Sequence, residues 1–350
     1  MAFLIERVNA VFKDEWERYI EKREDTSYVD YFNWRDAIEK TYGLKHYWYL
    51  AKNNGEIQGA LALTFTKHPV FGSYLTTAPF GSRGGFYAET TEAHDALISK
   101  AQDVKQELNV DYVLIRHLDM GKKPPAGWRQ SPIYISTRIN TKTDACTILF
   151  DKLKSDSRNQ IKKSLKKGYS YVFGSAEELF EDAWYVLIRS MKILGSPYHS
   201  KEFLKKLCTL FGAAAKFAVV YDMNKNPLAA FLCIQHNRTL SPVHGGIIKK
   251  KEHPYAGVFL YWSTIDICCA GDKDWLDLGR SLINSPQEHF KNKFSPINET
   301  MGYWYYLPES RPVPNINQSN PNYDIPRKLW SRMPLRLQTY LGPWFIKGVL

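Results

Sequence analysis

The apolar positions of this chain change period along its length, and each change marks an element. FLIERV (3–8) reads as a strand. About Lys13–Arg23 places Trp16, Tyr19 and Ile20 three and four residues apart, the spacing of one helix face. A second helix is expected over about Phe32–Thr41, ending at Gly43, which suits a left-handed stop. YWYLAK, the turn NNGE and IQGALALTF then read as a two-stranded hairpin. After TTAPFGSRGG come a long helix, about Thr91–Leu108, and the strand DYVLIRH.

The same order returns. YSYVFG (169–174) is a strand, and helices follow over about Ala176–Leu194 and Ser200–Leu210, with Ser200 as N-cap and Gly212 as the stop. KFAVVYDM, the turn NKNP and LAAFLCIQH form a second hairpin. SPVHGG, a helix over about Val258–Ala270 and the strand WLDLGRS complete it. Gly43 matches Gly212, the turn Asn53-Asn54-Gly55 matches Asn224-Lys225-Asn226, Ile57–Leu63 resembles Leu228–Ile234, and Gly84-Gly85 matches Gly245-Gly246. Such correspondences, in one order, indicate an internal duplication.

The repeated unit, strand–helix–helix–hairpin–strand–helix–strand, resembles the GNAT acyltransferase fold. The expectation is an α/β (α+β) chain of two tandem GNAT-like domains, 1–150 and 151–310, with a basic tail, 311–350, packing back on the protein. Tyr303-Trp304-Tyr305-Tyr306 reads as a closing strand of the second domain. The Q/R-x-x-G-x-G/A loop by which ordinary GNAT enzymes hold coenzyme A has no match; Arg83-Gly84-Gly85 is a weak substitute.

Length and composition fit this picture. The 350 residues are 44% hydrophobic and 24% charged, enough apolar material for two cores rather than a disordered chain. No run of 18 apolar residues is present, and the N-terminus lacks the pattern of a secretory signal. Cys146, Cys208, Cys233, Cys268 and Cys269 are odd in number and form no CxxC pair, and the nine histidines show no HxxxH spacing. A cytoplasmic protein with reduced thiols, no protein-built metal site and no bound cofactor is expected.

The net charge of +11 is unevenly placed. Residues 151–167 hold seven bases against Asp151 and Asp156, with Lys154, Arg158, Lys162 and Lys166 spaced by four along one helix face. Residues 325–350 hold Arg327, Lys328, Arg332, Arg336 and Lys347 without an acid, mixed with Trp330, Leu337, Tyr340 and Trp344. The first run suits phosphate, from tRNA backbone or from a nucleotide- or lipid-linked sugar. The second fits either a helix packed on the protein or contact with the anionic inner membrane surface. Pro334, Gly342 and Pro343 interrupt a long amphipathic helix and favour packing.

Three motifs resemble the FemAB family of tandem-GNAT aminoacyl and peptidyl transferases, especially those found with exopolysaccharide and exosortase systems. SRNQIKKSLKKG (157–168) is similar to the family's R-N-x-x-K/R-K-A-x-K-x-G segment, LDLGRS (276–281) to its DFGRS strand end, and HFKNKF (289–294) to its FKxxFG motif. Pro79 to Gly85, YHS (198–200) and LYW (260–262) add to the match, which spans about residues 30–345. Ser295 stands where the family has glycine after the second aromatic, which puts that turn in question.

The resemblance implies an acyltransferase acting on an amine of a peptidoglycan or exopolysaccharide precursor, with aminoacyl-tRNA as donor. It implies Lys291 as the oxyanion donor, Phe290 lining the acyl site and proton transfer assisted by the substrate. Asp119 is an acidic partner by approximate alignment. Asp277 and Arg280, flanking a glycine at a strand end, suit an acid–base pair, a phosphate contact or an internal salt bridge. Arg158, Asn159, Lys162, Lys163, Gly84, Gly85, His199 and Tyr255 are the expected substrate-binding residues. Two other functions stay open: an acyl-CoA-dependent N-acyltransferase acting on an amino sugar, and a non-catalytic module binding RNA or polyphosphorylated glycan at the membrane. Lys291 separates them, because a module does not need it.

Overall fold

A computed structural model describes residues 4–118, 123–142, 150–271, 273–315 and 320–349. The chain divides into two compact units, Met1–Ile135 with Glu299–Asn317 and Ile346–Leu350, and Ser136–Asn298 with Gln318–Phe345.

In the first unit the order is β1 (Leu4–Arg7), α1 (Lys13–Glu21), α2 (Phe32–Tyr42), β2 (Lys45–Asn53), β3 (Glu56–His68), β4 (Gly72–Thr76), β5 (Phe86–Ala88), α3 (Thr91–Glu107), β6 (Tyr112–Leu118) and β7 (Trp128–Gln130). Gly43 caps α2 at φ +67°, where a side chain would be strained. The sheet order is β1-β2-β3-β4-β6, and β4 runs parallel to β6. The strand β14 (Ile297–Tyr306) continues this sheet antiparallel to β6, with Trp304 opposite Ile115. This corrects the expectation that Tyr303–Tyr306 closes the second domain. Trp304 is 1% exposed and packs with Leu97, Ile115 and Trp128, so the apolar face of the strand belongs to the first core.

The second unit repeats the plan: β9 (Ser170–Gly174), α5 (Ala176–Leu194), α6 (Lys201–Phe211), β10 (Ala215–Tyr221), β11 (Pro227–His236), β12 (Thr239–Ile247), α7 (Ala256–Ala270) and β13 (Trp275–Leu282). Ahead of it lie β8 (Tyr134–Asn140) and α4 (Ser155–Lys166), and after it come α8 (Pro286–Lys291), α9 (Asp324–Arg332) and α10 (Leu335–Ile346). The sheet order is β8-β13-β12-β11-β10-β9. Ser200 caps α6 by accepting the Phe203 N–H at 3.0 Å. The helix α7 is apolar all round because it is sunk in the core, with Val258, Phe259, Leu260 and Ile265 among its buried residues.

The copies differ in the strand that follows each hairpin. In the second unit β12 pairs β11 along its length, with one register shift between Leu232 and Cys233. In the first unit β3 is paired by two short strands, β4 at residues 64–68 and β5 at residues 59–61. The intervening loop is held from within. The buried carboxylate of Asp30 accepts the Gly85 N–H and the Tyr87 hydroxyl, each at 2.7 Å. Buried Arg116 donates to the carbonyls of Ala78 and Gly81. Cys208, Cys233, Cys268 and Cys269 are free thiols, the first three buried; Cys146 lies outside the described residues.

Candidate functional site

The second unit assembles a site around Lys291, the last residue of α8. That short helix starts sharply: Ser285 Oγ accepts the Glu288 N–H at 3.2 Å and Pro286 occupies the first turn. Within β13, Gly279 adopts φ +68°, and the Asp277 carboxylate accepts its N–H at 2.8 Å. The bend presents two carbonyl oxygens to Lys291. Its Nζ donates to Gly279 O at 3.1 Å and to Arg280 O at 3.0 Å. The lysine is 1% exposed. Burial pushes its pKa down to about 7; Asp277 acts against this shift and Arg280 adds to it. An ammonium has three N–H groups, and the third has no acceptor among the described residues.

Aromatic rings form the wall beside it. Tyr261 of α7 lies edge-on to Phe290 at 5.0 Å and stacks on Phe294 at 5.2 Å, while Phe231 of β11 meets Tyr261 edge-on at 5.1 Å. Phe290 is half-buried and borders the lysine. Gly257, in the first turn of α7, permits a close approach: a Cβ there would lie 2.8 Å from Ile247 Cδ1 and 3.6 Å from Phe290 Cζ. The turn questioned at Ser295 is kept. Ser295 adopts the left-handed conformation at φ +51°, and its hydroxyl donates to Lys152 O at 2.7 Å.

The basic helix α4 shows a division of labour. Ser157, Ile161 and Ser164 face inward. Arg158 Nη1 donates to Asp151 O at 2.6 Å and to Leu153 O at 2.7 Å, so this guanidinium ties down the chain entering the helix. Asn159, Lys162, Lys163, Lys166 and Lys167 are exposed. Lys167 Nζ donates to Glu252 O at 3.0 Å, and Lys163 Nζ lies 5.9 Å from the ring of Tyr255, the residue preceding α7. These contacts bring the loop of Lys249, Lys250 and Lys251, all exposed, beside α4. The three lysines are absent from the sequence-based site; their signal was the run KKKEH.

His199, expected among the substrate-binding residues, lies in the turn between α5 and α6. It is buried, stacks on Phe203 at 4.5 Å and meets His244 of β12 at 5.0 Å. Burial holds both imidazoles neutral, that of His244 at a pKa of about 4. His244 is a second residue that no spacing in the sequence singled out. Gly84 and Gly85 lie in the first unit, where their N–H groups are taken by Arg116 O and Asp30. Asp119 lies outside the described residues. Among the described residues no group of three metal-ligating side chains is placed to hold an ion.

Residues 151–292 match the family model of the acetyltransferase (GNAT) domain. The chain has the fold of tandem GNAT proteins. Its structure is similar to that of FemX over 87% of this chain and 97% of that one, at TM-score 0.64 and 11% identity. It is similar to L-PGS from Bacillus licheniformis over 91% and 97%, at TM-score 0.56 and 12% identity. It also resembles a tandem GNAT protein from the clavulanic acid biosynthesis pathway over 89% and 100%, at TM-score 0.56 and 9% identity. No curated protein matches the chain in sequence. The chain thus carries a GNAT-type acyltransferase domain at residues 151–292, which makes it an enzyme of the acyltransferase class.

Proposed function

We propose that this chain transfers an aminoacyl group to an amine of a peptidoglycan or exopolysaccharide precursor. The observation that carries the reading is Lys291: a buried ammonium anchored by two carbonyls, with one N–H uncommitted, beside a partly open aromatic wall. A neutral amine of the acceptor attacks the ester carbonyl of an aminoacyl-tRNA. The C–N bond forms, the oxygen becomes an oxyanion, and the third N–H of Lys291 is the donor that stabilises it. Collapse breaks the C–O bond, and the proton leaving the nitrogen passes to the departing hydroxyl without a protein base. Phe290 lines the acyl group. Asp277 acts by holding the Gly279 turn and with it the carbonyls that orient Lys291. Lys162, Lys163, Lys166 and Lys249–Lys251 supply the charge for donor phosphates.

The family-model match favours a second reading in which an acyl-CoA replaces the charged tRNA and an amino sugar accepts. The same lysines would meet its phosphates. Incubation with charged tRNA or acyl-CoA, against nucleotide-sugar and amino-sugar acceptors, separates the two by mass spectrometry of the products. Full transfer by Lys291→Ala overturns the assigned mechanism. No turnover of either donor removes both readings and leaves a binding module.

A further inference from the structure

We infer that the outer face of the C-terminal helix pair is a docking surface for an anionic lipid bilayer. The inner face of the pair is committed to the second unit. Lys192 of α5 donates to Met333 O at 2.8 Å, and Gly342 of α10 comes so close to Tyr198 that a Cβ would lie 2.7 Å from its carbonyl oxygen. Between the two helices, buried Gln338 donates to Trp330 O and Met333 O, and Trp330 meets Phe345 edge-on at 5.4 Å.

The opposite side of each helix is apolar where solvent would call for polar residues. On α9, Ile325 is 70% and Leu329 61% exposed, one turn apart. On α10, Leu337, Tyr340 and Trp344 are 49%, 81% and 46% exposed, at the three- and four-residue spacing of one stripe. Exposed Lys328 and Arg332 share the outer arc of α9, and exposed Arg336 that of α10. The acid of this segment, Asp324, is paired with Arg327. Large apolar side chains interleaved with unopposed bases, including a tryptophan and a tyrosine, match a headgroup layer: the rings and aliphatic groups enter the boundary and the bases meet lipid phosphates. A second copy of the chain fits less well, since a two-fold contact on this face would bring two sets of the bases Lys328, Arg332 and Arg336 into one interface with no free acid among the described residues of the face to pair them. The surface is independent of the acyl-transfer reading, and no residue in it belongs to the Lys291 site.

The test is co-sedimentation of the full chain with phosphatidylcholine vesicles, with and without phosphatidylglycerol. Binding to the anionic vesicles is expected, weakened by salt. Arg332→Gln with Arg336→Gln should lower the affinity about fivefold for each base removed. Leu337→Ser with Trp344→Ser should lower it at least about tenfold at any salt. These side chains are exposed, so an unchanged melting temperature shows that the variants fold, and transfer to a soluble acceptor stays unchanged. The inference is overturned if the full chain stays in the supernatant, if both variants sediment like the parent, or if light scattering shows a dimer that the same substitutions dissociate.

Discussion

Replacing Lys291 with methionine tests the site at its centre. The substitution keeps an unbranched stem of similar length in a position that is 1% exposed and removes the ammonium. The fall in pKa from 10.5 to about 7 means that burying the charged form costs on the order of 5 kcal/mol, at about 1.4 kcal/mol per tenfold change in proton affinity. Methionine relieves that cost but strands the Gly279 and Arg280 carbonyls, at about 1–3 kcal/mol each. At pH 7 the two effects nearly cancel, so the absolute change in stability is a poor readout. The pH dependence is a sharp one. Between pH 7 and 10.5 the unfolded chain holds the lysine proton and the folded chain releases it, so parental stability rises with pH in that window. From pH 7 to pH 9 the parent should gain about 2 kcal/mol relative to Lys291→Met. Urea unfolding of both proteins at several pH values measures this difference directly. Parallel stability curves would refute the lowered pKa. Acyl transfer, measured in the same preparations, should fall by about 100-fold to 1,000-fold if the third N–H serves the oxyanion; a variant that keeps full activity would leave Lys291 as a strut between β13 and α8.

Three further outcomes follow from the geometry. Lys163→Ala with Lys250→Ala should weaken binding of charged tRNA and reduce its salt dependence in a filter-binding titration, whereas Arg158→Ala should lower the melting temperature with little change in binding, because its donors serve Asp151 and Leu153 carbonyls. Gly246→Ala should cost about 1–3 kcal/mol in urea unfolding, since its Cβ would lie 3.0 Å from Leu187 Cα and Ser190 Cβ, where the backbone of α5 cannot give way. Asp30, fully buried, has its pKa raised to about 6 by burial despite the hydrogen bonds from Tyr87, Ser27 and Gly85. The folded chain therefore holds this proton more tightly than the unfolded one, and the contribution falls by on the order of 3 kcal/mol as pH rises from about 4 to 6. Asp30→Asn should remove that part of the pH profile of the melting temperature and lower stability elsewhere by leaving donors unmatched.

Much of this architecture was legible in one dimension. The helix over 176–194, the cap at Ser200, the stops at Gly43 and Gly212 and both hairpins depend on local periodicity and turn chemistry, which neighbours in sequence supply. The FKNK motif likewise singles out Lys291, which the fold buries against the carbonyls of β13. What sequence could not decide was which partners each segment would meet. The apolar face of Tyr303–Tyr306 suits either core, and only the pairing with β6 assigns it to the first. Arg158 and Lys162 look alike on a helix face, yet the entering chain places carbonyls within reach of one and solvent around the other. Lys249–Lys251 and His244 carry no spacing that links them to α4 or to His199; sheet register and helix docking make them neighbours. Lys291 shows the division most clearly. Its identity is in the sequence, but its burial, its two carbonyl partners and its lowered pKa exist only because β13 bends at Gly279 beneath it, since desolvation is a property of surroundings and not of a residue.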